Sequence, residues 1–180
     1  MVIDIGTGSG QAVLRRARRE PASLVIGIDA AAVAMADASR RAAANVRKGG
    51  VPNAIFLAES VERLPGLLAG RADLATVVLP WGSLLRGLVE PRDDVLAALR
   101  GLLHAKGELV AMLADMELAQ VERLEQSYAA AGLETVEIRP VTAADVTQLS
   151  SGWARRLGIP GSRPAWIIRL RRQDRADGRR

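Results

Sequence analysis

Short apolar segments of strand length alternate with longer amphipathic segments along almost the whole chain, and this alternation admits few folds. It predicts seven strands, at residues 2–5, 24–28, 54–57, 74–79, 108–113, 135–139 and 166–170. It predicts helices at residues 11–19, 31–46, 60–68, 93–103 and 117–131. Such a pattern is typical of an α/β fold, a mostly parallel seven-stranded sheet with helices on both faces. The last two strands have no long helix between them, which indicates an antiparallel edge strand.

The composition limits the chemistry that the chain can carry. Its 180 residues, 49% of them apolar, suit one domain, which we expect at residues 1–170 with a basic, disordered tail at 171–180. The absence of cysteine excludes disulfides, thiolate metal sites and cysteine nucleophiles. His104 is the only histidine, so no scheme that needs two imidazoles is available. Its neighbours predict a structural position at the end of a helix, and we expect no metal site.

The sequence carries no membrane or export signal. No window reaches the ~18 consecutive apolar residues that a membrane helix needs. The first residues lack the basic start and apolar stretch of a secretory signal. We therefore expect a cytoplasmic protein that makes no contact with a membrane, and we expect a monomer.

A glycine loop directly follows the first strand. Asp4, Gly6, Thr7, Gly8 and Gly10 carry this motif, which opens the first helix. Glycines let the chain turn tightly and let a ligand approach the backbone, while the helix N-terminus offers N–H donors. Asp29 ends the second strand, where a carboxylate can accept hydrogen bonds from both hydroxyls of a ribose. Together these features predict a nucleoside cofactor.

The glycine spacing distinguishes between nucleoside cofactors. The dinucleotide fingerprint requires a third glycine where this chain has Gln11 or Val13, so both possible registers fail. An acid inside the first strand followed by Gly-x-Gly-x-Gly is instead the pattern of class I S-adenosylmethionine (SAM) methyltransferases. In that fold, residues just past the third strand usually contact the adenine, and Val61 and Glu62 are the candidates here. Glu62 is equally compatible with a plain exposed acid in the first turn of a helix.

Three tryptophans stand out because aromatic residues make up only 3% of the chain. Trp81 lies between a proline and a glycine after the fourth strand, which predicts a loop at the carboxyl end of the sheet. Enzymes that modify a base extrude it and hold it between aromatic side chains, and Trp81 and Trp153 are the two candidates. Ordinary packing is the alternative for both. For Trp166, inside a predicted strand, we expect packing.

The positive charge is concentrated near the C-terminus. Residues 151–180 contain nine arginines and two aspartates, a net charge of +7, against +5 for the whole chain. Such a distribution is typical of a protein that meets a polyanion with one end. Residues 171–180 are compatible with a solvated tail. Arg155, Arg156 and Arg163 lie instead among tryptophans and apolar residues.

Several motifs together resemble one family, the aminoglycoside-resistance methyltransferases that modify N1 of adenine 1408 in 16S rRNA of the small ribosomal subunit. The resemblance covers nearly the whole chain and rests on residues 3–10, 27–29, 48–53, 62–65, 80–85 and 153–158. The last two motifs are specific to the family, and the first two occur across SAM enzymes. Family members carry a β-hairpin before the first strand, which we expect to be absent here. They also often have an acid at Ser9 and a proline at Ala30.

The resemblance implies a role for each candidate residue. SAM is the expected cofactor, S-adenosylhomocysteine the product and 16S rRNA the partner. Trp81 and Trp153 would sandwich the flipped adenine, with Ser151 placing the Trp153 loop, and Leu79 and Ser83 would contact the cofactor. The implied contacts to rRNA phosphates are Arg47, Lys48, Arg155, Arg156 and Arg163.

Methylation at N1 would need no strong general base, because this ring nitrogen has a free lone pair, and positioning would supply most of the catalysis. Three alternatives compete with this interpretation. A SAM enzyme for a small metabolite would use the two tryptophans as pocket walls. A SAM- or RNA-binding homologue would have little catalytic activity. A nicotinamide-dependent oxidoreductase is disfavoured by the missing third glycine.

Overall fold

Seven strands form one sheet in the computed structural model, which describes residues 1–90 and 93–173. The strands are β1 (Val2–Ile5), β2 (Val25–Asp29), β3 (Ala54–Ala58), β4 (Ala72–Val78), β5 (Leu103–Ala114), β6 (Leu133–Pro140) and β7 (Ala165–Arg172). The helices are α1 (Gln11–Arg19), α2 (Ala32–Ala42), α3 (Gly82–Val89), α4 (Asp93–Leu102), α5 (Leu118–Ala130), α6 (Ala143–Gln148) and α7 (Gly152–Arg156).

The strand order is β3-β2-β1-β4-β5-β7-β6, and the pairs from β3 to β5 are all parallel. The strand β7 lies between β5 and the edge strand β6 and is antiparallel to both. The predicted fold class, a mostly parallel sheet with antiparallel pairing at one edge, is confirmed. The strand order reverses between β1 and β4, so a crevice forms at the carboxyl ends of these two strands.

Alternating residues of the strands send their side chains to opposite faces of the sheet. Ile3 and Ile5 of β1 join the larger apolar cluster, which buries one side of α3, α4 and α5. Val2 joins the cluster that buries α1 and α2 on the opposite face. Leu74 links that cluster to a third one, which contains residues of α6 and α7. Hence α1, α2, α6 and α7 share one face, which is the face that borders the candidate site.

Two predicted helices differ from the structure. Residues 60–68 form two short 3₁₀ turns, Val61–Arg63 and Gly66–Leu68, instead of one helix. Pro65 separates them, because proline lacks an N–H and disfavours a helical conformation for Leu64. The second helix ends at Ala42 instead of residue 46, and a 3₁₀ turn, Val46–Lys48, follows it. The Asn45 side chain caps this turn by accepting from the Arg47 N–H at 2.8 Å.

His104 lies in a strand and not at a helix end, because β5 begins five residues earlier than the sequence predicts. Its Nε2 lies 2.9 Å from Asp73 Oδ1, and its Nδ1 accepts from the Lys106 N–H at 2.9 Å. The last strand also extends further than predicted and contains Arg171 and Arg172, which the sequence had assigned to the tail. The rest of the predicted tail, residues 174–180, lies outside the described residues.

Candidate active site

A cleft of about 750 Å³ opens where the carboxyl ends of β1 and β4 separate. This volume is within the range of sites that bind a small molecule or cofactor. The cleft brings together ten of the predicted site residues: Asp4, Gly6, Thr7, Gly8, Leu79, Trp81, Ser151, Trp153, Arg156 and Arg163. The other eight do not line it: Gly10, Asp29, Arg47, Lys48, Val61, Glu62, Ser83 and Arg155.

The glycine loop has a backbone that side-chain-bearing residues adopt only with strain. Gly6, Gly8 and Gly10 have φ angles of 71°, 57° and 68°. A Cβ added at Gly8 would meet no atom within 4 Å, so this glycine faces open space. A Cβ at Gly10 would lie 2.5 Å from Phe56 Cε1 and 2.8 Å from Ala38 Cβ. Gly8 therefore leaves room for a ligand, whereas Gly10 permits close packing beneath the loop.

Asp29 fixes the glycine loop from the end of β2. One carboxylate oxygen accepts from the Gly8 N–H at 2.8 Å and the other accepts from the Ala31 N–H at 2.8 Å. Each carboxylate oxygen has a second lone pair, so these bonds leave acceptor capacity for a ligand. Asp29 thus holds the loop and remains available beside it, although its side chain does not line the cleft itself.

Asp4 lies under the loop, with its side chain on the same face of the sheet as Thr76. The Thr76 hydroxyl donates to Asp4 Oδ1 at 2.5 Å. Burial raises the pKa of the Asp4 carboxyl, while the hydrogen bond from Thr76 and the charge of Arg16 oppose this rise. The result is an acceptor at the floor of the cleft, held in place by Thr76.

Both candidate tryptophans are exposed on the cleft. Trp81 directly precedes α3 and is 83% exposed, and Trp153 lies in α7 and is 56% exposed. Trp166 differs, as expected: it is half-buried in β7 and its Nε1 donates to the Met116 carbonyl at 2.8 Å. Two large apolar rings that line one cleft and remain mostly exposed are suited to holding a flat ligand.

Ser151 places Trp153 by starting the short helix α7. Its buried Oγ accepts from the Ala154 N–H at 3.0 Å, which makes it the N-cap of α7. The preceding helix α6 is anchored by Asp145, whose carboxylate accepts from Arg139 at 2.6 and 2.7 Å. The Arg139 hydrogen bonds hold the pKa of Asp145 well below its usual range, against the effect of burial. The segment that carries Trp153 is therefore attached to the sheet through β6.

Three other predicted cofactor contacts do not line the cleft. Val61 is buried in the larger apolar cluster, and Glu62 is exposed beside it in the turn after β3. Ser83 is exposed in the first turn of α3. Leu79, in contrast, lines the cleft with a φ of 51°, and its N–H donates to the Met112 carbonyl at 2.8 Å.

The predicted rRNA-binding residues form two groups. Arg155 and Arg156 are exposed in α7, and Arg163 lies nearby with two of its three guanidinium nitrogens paired to the Asp115 carboxylate. Arg47 and Lys48 are exposed in their 3₁₀ turn, next to the C-terminal end of α1.

Arg15 is one of the cleft residues that the sequence analysis did not predict. Its guanidinium lines the cleft and donates to the Ser150 carbonyl. Only the fold brings residue 15 next to residue 150, so no local sequence signal could have shown this contact. Within the described ranges, no group of three or more acidic or histidine side chains is arranged to hold a metal ion. Nor does any described helix have the length and apolar character needed to cross a membrane.

The strand order, the glycine loop after β1 and the acid at the end of β2 define a class I SAM-dependent methyltransferase. The sequence model of the NpmA family, described as 16S rRNA (adenine(1408)-N(1))-methyltransferase, matches residues 1–171. The chain belongs to this family, and the resemblance deduced from its motifs is confirmed.

Individual relatives agree with the family. A 16S rRNA (adenine(1408)-N(1))-methyltransferase of Streptoalloteichus hindustanus is 34% identical over an alignment of 173 residues, and the match covers 87% of this chain and 80% of that protein. A crystal structure of such an enzyme from Catenulisporales acidiphilia, a mutant with cosubstrate SAM, has a TM-score of 0.87 and 30% identity over 98% of this chain and 87% of that one. The antibiotic-resistance methyltransferase Kmr has a TM-score of 0.82 and 33% identity over 96% and 86%.

Proposed function

We propose that this chain transfers a methyl group from SAM to N1 of adenine 1408 in 16S rRNA of the small ribosomal subunit, and so confers aminoglycoside resistance. The observation that carries the proposal is that Trp81 and Trp153, both exposed, border the same cleft as the glycine loop. One cleft can therefore hold a base next to a cofactor. Family membership supports the target, and small ribosomal subunits place the reaction in the cytoplasm.

The cofactor-binding residues fit SAM by their chemistry. The backbone at Gly8 leaves space for the methionine part, Gly6 lines the same cleft, and Asp4 beneath the loop can accept from an ammonium group. Asp29 can accept from the ribose hydroxyls, as its free lone pairs allow. The remaining proposed contacts are Thr7 and Gly10 in the loop, Val61 and Glu62 in the turn after the neighbouring strand β3, Leu79 after β4 and Ser83 in α3.

The proposed mechanism depends on positioning. SAM supplies a methyl carbon made electrophilic by its sulfonium. Stacking between Trp81 and Trp153 would fix the ring plane of the adenine, so that N1 points along the line of attack. The N1 lone pair forms the new C–N bond as the C–S bond breaks, and the positive charge moves to the adenine. The faces of the two indoles favour this cationic ring.

The backbone carbonyl groups of Leu79 and Pro80 are further candidates for orienting the adenine. Both residues line the cleft between Trp81 and the glycine loop, and neither is part of the regular strand β4. A carbonyl here can accept from the exocyclic amine of adenine, which would orient N1 toward the cofactor. No side chain is required to remove a proton from N1, because the attacking nitrogen carries none.

The direct test is primer extension on rRNA after incubation of purified small subunits with the protein and SAM. We expect a stop next to adenine 1408, because a methyl on N1 blocks base pairing. Deproteinised 16S rRNA and a mixture of small metabolites serve as controls. Methyl transfer to a metabolite without subunits would contradict the proposal in favour of a small-molecule methyltransferase. SAM binding with no methylated rRNA under excess protein would indicate a binding homologue.

Asp29→Ala should weaken SAM binding by about 1.5–3 kcal/mol, the effect of removing a charged acceptor from paired hydroxyls. Calorimetry with SAM and with S-adenosylhomocysteine measures this loss. Since Asp29 also holds the Gly8 N–H, the thermal midpoint should be recorded in parallel. Glu122→Ala is the matched control, because it removes an exposed carboxylate from α5, which covers the opposite face of the sheet. Equal SAM affinity for Asp29→Ala and the parent protein would contradict the assignment.

A further inference from the structure

Three arginines project from one side of α1, one helical turn apart. Arg15, Arg18 and Arg19 are spaced i, i+3 and i+4, which places them on a common face. We call these three residues the α1 arginine strip. The fourth arginine of the helix, Arg16, is not part of it, because its Nε pairs with Glu20 at 3.0 Å.

Each guanidinium of the strip contacts a backbone carbonyl and not a carboxylate. Arg18 donates to the Gly49 carbonyl at 3.4 Å and Arg19 to the Gln148 carbonyl at 3.0 Å, while Arg15 donates to the Ser150 carbonyl. No described acidic side chain forms an ion pair with any of the three. A guanidinium has five N–H donors, so each arginine keeps most of its donors free. The strip is therefore held in place while its charge stays uncompensated.

The neighbours of the strip increase the positive charge. Burial lowers the pKa of Arg15, and the charges of Arg155 and Arg19 lower it further. The Ser150 carbonyl that Arg15 contacts lies two residues before the start of α7, and this contact brings α7 with Arg155 close to the strip. At the other end, the contact to Gly49 brings Arg18 beside the turn that carries Arg47 and Lys48.

The strip thus lies between the two groups of proposed rRNA contacts. Arg47 and Lys48 stand at one end of it, and Arg155 and Arg156 stand at the other. Two basic patches that are far apart in sequence become one continuous surface along the side of the cleft. The guanidinium fork suits the oxygens of a phosphodiester, which it can contact with two parallel hydrogen bonds.

We infer that the α1 arginine strip is the central part of the rRNA docking surface and binds phosphates between those bound by the two flanking groups. This inference rests on the proposed function. It adds Arg15, Arg18 and Arg19 to the contacts that the motifs suggest, and it makes the helix that follows the cofactor loop part of the substrate surface.

The test uses the double variant Arg18→Gln/Arg19→Gln, because both side chains are exposed. Arg71→Gln/Arg123→Gln is the matched control. It removes the same charge from exposed positions, one before the amino end of β4 and one on α5, which covers the opposite face. The affinity of each protein for small ribosomal subunits is measured across a salt series, together with SAM affinity and the thermal midpoint.

We expect the strip variant to bind subunits at least about tenfold more weakly at moderate salt and the control to bind like the parent. Loss of two phosphate contacts should also reduce the slope of log K against log salt by about 1.4–1.8. Arg18→Lys/Arg19→Lys keeps both charges and should retain the slope. SAM affinity and the thermal midpoint should not change in any variant.

Three results would overturn the inference. Binding of the strip variant like the parent would mean that the strip is only solvated surface. Equal weakening in the control would mean that total charge matters and not position. A lower thermal midpoint or SAM affinity with the weaker binding would mean that the strip only supports the fold. Primer extension with the parent protein keeps the two proposals apart, since a stop at adenine 1408 upholds the function whatever the strip variant shows.

Discussion

Changing either Trp81 or Trp153 to alanine should reduce methylation of adenine 1408 at least about tenfold and abolish aminoglycoside resistance. Base stacking on an aromatic side chain contributes roughly 1–3 kcal/mol per base, and here it also sets the direction of N1. Phenylalanine at the same positions should keep part of the activity, because one aromatic face survives. Methyl transfer to purified subunits and growth on aminoglycosides are the two measurements.

Thermal stability separates stacking from packing in this experiment. Because Trp81 and Trp153 are 83% and 56% exposed, their alanine variants should melt close to the parent protein. Trp166→Ala is the internal control and should lower stability by about 3 kcal/mol, because its half-buried ring packs on the core and its N–H bonds to Met116. The opposite pattern, unfolding at Trp81 and Trp153 and tolerance at Trp166, would show that the two tryptophans are structural.

Gly10→Ala should lower the free energy of unfolding by about 2–5 kcal/mol. A left-handed backbone strains alanine, and the new methyl group would overlap with Phe56 and Ala38. Gly8→Ala has the same backbone strain but no overlap, so its stability should fall by only about 1–2 kcal/mol. Its methyl group would instead occupy the space in front of the loop, and SAM affinity should fall at least about tenfold. Thermal melts and calorimetry on both variants measure the two effects.

The two variants thus test different roles of the glycine loop: Gly8→Ala tests cofactor binding, and Gly10→Ala tests the packing beneath the loop. Gly49→Ala is a control for the strain alone, since it also has a positive φ and open space around an added Cβ, but lies away from the cleft. Unchanged SAM affinity in Gly8→Ala would contradict the placement of the cofactor at this loop. A Gly10→Ala protein as stable as Gly49→Ala would contradict the packing described beneath it.

The parts of the fold that the sequence predicted correctly are those in which local pattern and tertiary packing agree. The buried strands β1 and β2 are short apolar runs, and the glycine loop between β1 and α1 has a motif of its own. The helix predicted at residues 60–68 is wrong because the prediction followed the apolar periodicity and neglected Pro65, which interrupts a helix. The short helices α6 and α7 were missed because six and five residues are too few to show a period. A capping box at Thr142 and Asp145 was the available signal for α6.

The candidate site was predictable to the extent that its residues come from the ends of strands. Asp4, Asp29 and Leu79 lie near the carboxyl ends of β1, β2 and β4, where a parallel sheet brings them together whatever the details of packing. Two contacts depend instead on how the helices pack against the sheet. They are the hydrogen bond that Asp29 accepts from the Gly8 N–H and the one that Arg15 donates to the Ser150 carbonyl. Periodicity contains no information about such contacts.

The antiparallel direction of β7 divides the cationic C-terminal sequence between two ends of the molecule. The strand starts at Ala165 beside the cleft and, at about 3.4 Å per residue, leaves the sheet roughly 25 Å away. There the Arg172 side chain bonds to the Leu103 carbonyl, and Arg171 pairs with Glu108 at 2.7 Å. A fluorophore attached at the exposed Gln173 would therefore lie far from Trp81 and Trp153. It would not obstruct the cleft while the fluorescence of these tryptophans is used to detect binding of a base.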